Sequence, residues 1–220
     1  MAEEICRHMT NLADIIGWSH RLSAEVLQGG DMAVDLTLGN GNDCLHLAHC
    51  VGARTTGAVI AFDIQYSALE RSASLLAQEG FCVSIHSDGD IDSPAVRTEP
   101  WPDTTTGVHL FHSGHQELQR HLPRAPKLIL ANLGYLPGGD HAVATTAPTS
   151  IRAAEQGAAA LLHGGRMLFV VYPGHPEGQT EAAELNAFFS ALPKQKWDVI
   201  RISCPNAAQA PFLLGAERRR

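Results

Sequence analysis

Met32-Ala33-Val34-Asp35-Leu36-Thr37-Leu38-Gly39-Asn40-Gly41-Asn42-Asp43 runs from a short apolar stretch into a glycine-bearing turn and then to residues that favour helix starts. The apolar stretch reads as a buried strand, and Gly39 and Gly41 supply the backbone freedom of a tight turn. Asn42 or Asp43 then caps a helix extending to about Cys50. Strand, turn and helix in this order open a βαβ unit.

The flanking sequence continues the pattern. A helical segment over about residues 1–28 ends at Gly29-Gly30. Residues 57–62 read as a second strand ending in Asp63, and residues 66–78 as a helix closed by Gly80. Further strands are expected at 108–111, 128–131, 166–171, 199–203 and 212–215, with helices at 116–121, 150–163 and 177–191. This alternation predicts an α/β fold with about seven mostly parallel strands and helices on both faces of the sheet. Residues 84–107 hold Asp88-Gly89-Asp90, Pro94, Pro100, Pro102 and three consecutive threonines, and read as a surface insertion in a single domain spanning 1–220.

Composition narrows the function classes. With 45% hydrophobic and 18% charged residues the chain can bury a substantial core, and it has no uninterrupted apolar stretch of bilayer-spanning length. Sixteen Lys and Arg against 23 Asp and Glu give a formal charge of -7, so RNA contact would need a local patch rather than the net field. Arg120, Arg124, Lys127, Lys194, Lys196, Arg201 and the terminal arginines could form one, or could be solvated surface. Cys6, Cys44, Cys50, Cys82 and Cys204 are scattered and odd in number, which fits a reducing cytoplasm. The acidic start Met1-Ala2-Glu3-Glu4 does not read as a secretory signal. His46 and His49, or His109, His112 and His115, raise the question of a metal. The spacing of the first pair offers no third ligand and strand alternation splits the second set, so none is expected.

Asp63 lies just over twenty residues beyond the glycine turn, where a carboxylate can accept hydrogen bonds from the two ribose hydroxyls of an adenosine cofactor. Dinucleotide-binding proteins and S-adenosylmethionine methyltransferases share this arrangement. The turn itself favours the latter. Cys44 stands where G-x-G-x-x-G would place its third glycine, and Asp43 in the first helical turn would repel a pyrophosphate. Asp35 and Asp43 instead offer carboxylates to the ammonium and sulfonium of S-adenosylmethionine. The expected cofactor contacts are thus Asp35, Thr37, Gly39, Asn40, Gly41, Asn42, Asp43, Asp63 and Gln65.

Asn132-Leu133-Gly134-Tyr135-Leu136-Pro137-Gly138-Gly139-Asp140 follows the strand at 128–131, at the edge where ligands of open α/β sheets bind. It is similar to the [Asp/Asn]-Pro-Pro-[Tyr/Phe/Trp] motif of amino-group methyltransferases, with Leu133 and Gly134 replacing the prolines. Together with Ala61-Phe62-Asp63-Ile64-Gln65, Gly114-His115-Gln116-Glu117-Leu118, Thr145-Thr146, Tyr172-Pro173-Gly174-His175-Pro176-Glu177-Gly178, Glu181, Asn206 and Pro211-Phe212, it resembles one family along most of the chain. That family comprises class I methyltransferases related to the bacterial tRNA 5-(aminomethyl)-2-thiouridine methyltransferase, also described as rRNA methylases. Leu36 and Leu38 stand where the family usually has alanines.

The resemblance implies a Rossmann-like fold, S-adenosylmethionine as cofactor, tRNA as substrate and N-methylation of an aminomethyl group at the wobble uridine. A homodimer is consistent with it. It implies that Asn132 and the Leu133 carbonyl hold the amine while also bordering the cofactor, that Tyr135 lies against the base, and that His115 lies near the adenine. His175 is a proton acceptor or a substrate contact, unless it is simply a surface-loop histidine. The alternatives on this fold are an rRNA or small-molecule methyltransferase and a non-catalytic nucleotide-binding regulator.

Overall fold

A computed structural model of the chain describes residues 11–87, 105–134 and 144–220. Eight strands form one sheet, described here with the helices in chain order. Helix α1 (Ile15–Val26) leads to β1 (Met32–Asp35), α2 (Asn42–Cys50), β2 (Ala58–Asp63) and α3 (Tyr66–Gln78). Strands β3 (Val83–Ser87) and β4 (Gly107–His112) follow, then a 3-10 turn at His115–Glu117 running into the single-turn α4 (Leu118–His121). Next come β5 (Leu128–Asn132), α5 (Ala147–Ala160), β6 (Arg166–Val171), α6 (Pro176–Ala191), β7 (Trp197–Ile202) and β8 (Phe212–Arg218).

The sheet order is β3-β4-β2-β1-β5-β6-β8-β7, with only the pairs made by β8 antiparallel. The central strands are buried on both sides. Met32 and Val34 of β1, Ile129 and Ala131 of β5, and Met167 and Phe169 of β6 face a core shared with α5 and α6. Ala33, Leu128, Leu130, Leu168 and Val170 face a second core, under α1, α2 and α3. Strands covered on both faces are continuous apolar runs, which is why β1, β5 and β6 are visible in the sequence. From β1 the chain passes by α2 to β2 on one side, and later returns to β5 on the other. The crevice at that reversal opens at the carboxyl ends of these strands.

The differences from expectation have local causes. Residues 84–87, expected in the insertion, belong to β3; its half-exposed polar run Val83-Ser84-Ile85-His86-Ser87 is an edge strand with no alternating apolar signal. The rest of that insertion, residues 88–104, lies outside the described residues. Helix α1 starts at Ile15, not near the N-terminus, because Asp14 caps it by accepting from the Gly17 amide at 2.8 Å; residues 1–10 lie outside the described residues. Helix α5 begins earlier than expected, where Thr146 and Thr149 form a capping box. No helix among the described residues is long and apolar enough to cross a membrane.

Gly178 in the first turn of α6 is required by a close approach: a Cβ there would lie 2.2 Å from the Tyr172 carbonyl oxygen. That oxygen is backbone and cannot swing aside. Gly178→Ala is therefore expected to cost about 2 kcal/mol or more of stability, read as a lowered urea midpoint. An unchanged midpoint would contradict this packing.

Candidate cofactor and acceptor site

The turn after β1 is built around two left-handed glycines, Gly39 at φ 52° and Gly41 at φ 80°. Gly41 donates to the Leu38 carbonyl at 2.8 Å, and a Cβ on it would strike the Ser72 side chain. Asp63 ties the turn to β2. Its Oδ2 accepts from the Gly39 amide at 2.9 Å and its Oδ1 from the Gln65 amide at 2.8 Å. Burial raises the Asp63 carboxyl, with these two amides opposing.

A cavity of about 610 Å³ opens beside this turn. Thr37, Gly39, Asn40, Asn42, Asp43, Asp63, Gln65, His115, Asn132, Leu133 and His175, all expected from sequence, line it. Two expected cofactor residues do not. Gly41 shapes the turn from behind, and Asp35 is fully buried beneath it, accepting from the Thr37 amide at 3.0 Å. Burial, with Asp43 and Asp63 adding, holds the Asp35 carboxyl well above the usual carboxylate range, so it is a structural acid under the turn and not a carboxylate on the cavity wall. Tyr135 lies outside the described residues.

Asn132 ends β5 with its amide nitrogen donating to Thr37 Oγ1 at 2.7 Å and its Nδ2 donating to Asp43 Oδ2 at 3.1 Å. The Asp43 Oδ1 lies 2.6 Å from His20 Nε2. Burial raises the Asp43 carboxyl, but the hydrogen bond and charge of His20 and the hydrogen bond of Asn132 outweigh it, and Asp43 stays below its ordinary range. Tyr172, hydrogen-bonded to the Asn132 side chain and with its ring 3.7 Å from where a Gly134 Cβ would lie, completes this wall.

The acceptor strand is held from behind by a buried acid. The Gly134 amide donates to Thr145 Oγ1 at 2.9 Å, Thr145 Oγ1 donates to Glu181 Oε2 at 3.0 Å, and Ser150 Oγ donates to Glu181 Oε1 at 2.6 Å. His20, Tyr172 and the strut role of Glu181 are what sequence reasoning missed. His20 carries no local motif, and its partner Asp43 is 23 residues away.

His175 caps α6: its Nδ1 accepts from the Gly178 amide at 3.0 Å. That cap assigns the ring proton to Nε2, so of the two functional roles read from sequence the geometry leaves the donor contact to substrate. His115 presents the opposite chemistry. Its ring is bonded to the Leu36 carbonyl, its buried Nε2 has no hydrogen-bond partner among the described residues, and burial drives it down to about 4. A neutral ring with an unsatisfied acceptor facing a nucleoside-sized cavity fits an adenine exocyclic amine.

His46 is likewise pushed down to about 4, by burial and the neighbouring His20 ring. The unfolded chain protonates these two histidines near 6.5, the folded chain only near 4. Between those values the unfolded state binds more protons, so stability falls as pH is lowered, by about 3 kcal/mol per histidine. Urea midpoints taken between pH 7 and pH 4.5 should fall, and fall less in His46→Leu. A pH-independent midpoint would rule out both buried neutral rings.

The cavity wall carries two carboxylates, Asp43 and Asp63, and no lysine or arginine among the described residues. A pyrophosphate would meet repulsion there, whereas a nucleoside bearing positive charge meets attraction. Lys127, Lys196 and Arg218, three of the basic residues considered for RNA contact, lie instead at the amino edge of the parallel strands, near the start of β5, β6 and β7. No group of three His, Cys, Asp or Glu side chains gathers as a metal cluster among the described residues.

Comparison with known proteins agrees with this geometry. The family model described as "Putative rRNA methylase" matches residues 59–217. A chloroplastic tRNA (mnm5s2U34)-methyltransferase of Arabidopsis thaliana is 32% identical over 201 residues, covering 89% of this chain and 66% of that protein, so the chain spans slightly less than two thirds of that relative's length. A solved structure described as a putative rRNA-methylase from Clostridium thermocellum superposes with a TM-score of 0.78 at 30% identity, over 93% of this chain and 97% of that one. A putative methyltransferase from Streptococcus mutans, solved in complex with SAH, gives a TM-score of 0.72 at 27% identity over the same shares.

Proposed function

The chain belongs to the family described as "Putative rRNA methylase", and on that footing we propose that it is an S-adenosylmethionine-dependent N-methyltransferase acting on the aminomethyl group of 5-aminomethyl-2-thiouridine at the tRNA wobble position. The observation that carries the cofactor reading is the cavity wall: two carboxylates, an unsatisfied buried acceptor on His115, and no cation among the described residues.

The residues divide the work by position. Asp63 holds the ribose hydroxyls, the turn at residues 37–41 closes over the cofactor's methionine half, and His115 accepts from the adenine amine. The cofactor, when bound, supplies an electrophilic methyl group on a sulfonium. An aliphatic amine is largely protonated near neutrality and attacks only as the free base, so its proton is left with water before transfer. The Asn132 side chain and the Leu133 carbonyl then orient the nitrogen lone pair, and Tyr172 and the Nε2 proton of His175 offer contacts to the base. Catalysis on this account is orientation in a site largely screened from water.

The test is transfer of labelled methyl to tRNA bearing 5-aminomethyl-2-thiouridine, with nucleoside analysis of the product. Formation of 5-methylaminomethyl-2-thiouridine is the expected result. Calorimetric binding of S-adenosylmethionine without transfer to that nucleoside would overturn the acceptor, and absence of binding would overturn the cofactor.

A further inference from the structure

We propose that His20 is a positioning residue for methyl transfer: by engaging one oxygen of Asp43 it fixes which end of the Asn132 amide is presented to the acceptor amine. This deepens the reading above and rests on Asn132 as the residue that holds the amine.

His20 belongs to α1, is 3% exposed and does not line the cavity. A carboxylate only accepts, so the ring proton facing Asp43 Oδ1 at 2.6 Å sits on Nε2. The ring is itself locked. It stacks on His46 with centroids 4.1 Å apart and planes 4° from parallel, and His46 Nε2 lies 2.8 Å from Ser23 Oγ and 3.1 Å from the His20 carbonyl oxygen. His20 Nδ1 is buried without a hydrogen-bond partner among the described residues. Burying a ring with one nitrogen unsatisfied is costly, and the single hydrogen bond its side chain makes is the one to Asp43.

The consequence lies on the far side of that carboxylate. With Oδ1 occupied, Oδ2 is the oxygen turned to Asn132, and it receives Nδ2 at 3.1 Å. An amide whose nitrogen is spent in this way presents its oxygen elsewhere, toward a donor such as an amine N–H. Without His20 the Asp43 carboxylate is free to rotate, and the Asn132 amide loses its reason to prefer one orientation.

The test compares His20→Gln, whose amide nitrogen reaches about as far as Nε2, with His20→Asn, which is one bond too short. Two readouts are taken: the turnover number with acceptor tRNA, and the chemical shift of the Asn132 side-chain amide protons, assigned by their loss in Asn132→Ser. His20→Asn is expected to lower kcat about tenfold to a hundredfold while S-adenosylhomocysteine affinity stays within about threefold. It should also move the Asn132 amide signal to the position seen in Asp43→Asn. His20→Gln should keep the signal near its original position and recover most of the rate. A purely structural role would move neither the signal nor the ratio of kcat to binding in a Gln-rescued manner. Equal behaviour of the two variants, or an unmoved Asn132 signal in His20→Asn, would overturn the proposal. Should the protein methylate no tRNA at all, the functional reading fails on that result, and the amide signal still decides the role of His20.

Discussion

Asp63→Ala is expected to weaken S-adenosylhomocysteine binding about a hundredfold in a calorimetric titration. Each Asp63 oxygen already accepts one backbone amide, from Gly39 or Gln65, and both oxygens border the cavity with lone pairs to spare. Two ribose hydroxyls donating to those lone pairs make charge-assisted hydrogen bonds, each contributing about 1.5 kcal/mol or more, and about 3 kcal/mol in affinity is two decades. The alanine variant also frees the Gly39 amide, so the glycine turn loses its tie to β2 and is no longer pre-shaped for ligand. Asp63→Asn retains one acceptor oxygen and should lose about tenfold. Because the affected contacts are to the ribose and not to the sulfur, the loss should be the same for the cationic cofactor and for its neutral product. Unchanged affinity in Asp63→Ala would remove the assignment of this end of the cavity to a ribose.

The parts of the fold legible in the sequence are those where burial is two-sided. Strands β1, β2, β5 and β6 are nearly continuous apolar runs because both of their faces meet a core, and helices α2 and α3 sit where their strand-end turns placed them. Strand β3 was not legible. It takes part in a single ladder with β4, leaves Ser84 and Ile85 exposed, and so carries no pattern that separates it from a polar loop. Strand β8 extends to Arg218, beyond the expected 215, because Arg166 of β6 pairs with Glu217 and ties that end of the ladder.

The site divides in the same way. Residues that act through short sequence distance, such as the turn at 37–43 or Asn132 at its strand end, were readable because strand-turn-helix geometry places them by itself. Asp35 illustrates the limit. Sequence places it at the strand end beside the turn, yet whether its carboxyl points into the cavity or under the turn depends on packing against both cores, and it points under. His20 and Glu181 illustrate the other limit. Their partners, Asp43 and Asn132 for one, Thr145 and Gly134 for the other, come from elements brought together only by the closed fold. The strut from Glu181 has its own consequence: Glu181→Ala, which leaves the Ser150 and Thr145 hydroxyls without their acceptor, should raise the KM for tRNA more than it lowers cofactor affinity.

Asn132→Ala is expected to lower turnover about a hundredfold while changing S-adenosylhomocysteine affinity by less than about threefold. Its backbone amide stays bound to Thr37 Oγ1, so the strand end and the adjoining turn keep their shape in the variant. What is lost is the side-chain oxygen that accepts from the amine and, through it, the alignment of the nitrogen lone pair. Misplacing a reacting atom by about an ångström costs a rate factor of this size, because the enzyme's contribution to a displacement at a reactive sulfonium is chiefly orientation. Asp43 in the variant loses the donor on Oδ2 but keeps His20 on Oδ1, so its charge remains paired and the cavity stays attractive to a cation. The contrast with Asp63→Ala is therefore the decisive comparison: one variant should bind poorly and, once saturated, turn over nearly normally, while the other should bind well and turn over poorly. Equal losses of cofactor affinity in the two would mean that Asn132 belongs to the cofactor's half of the cavity, and that the amine is held by other groups on the wall formed by Tyr172 and His175.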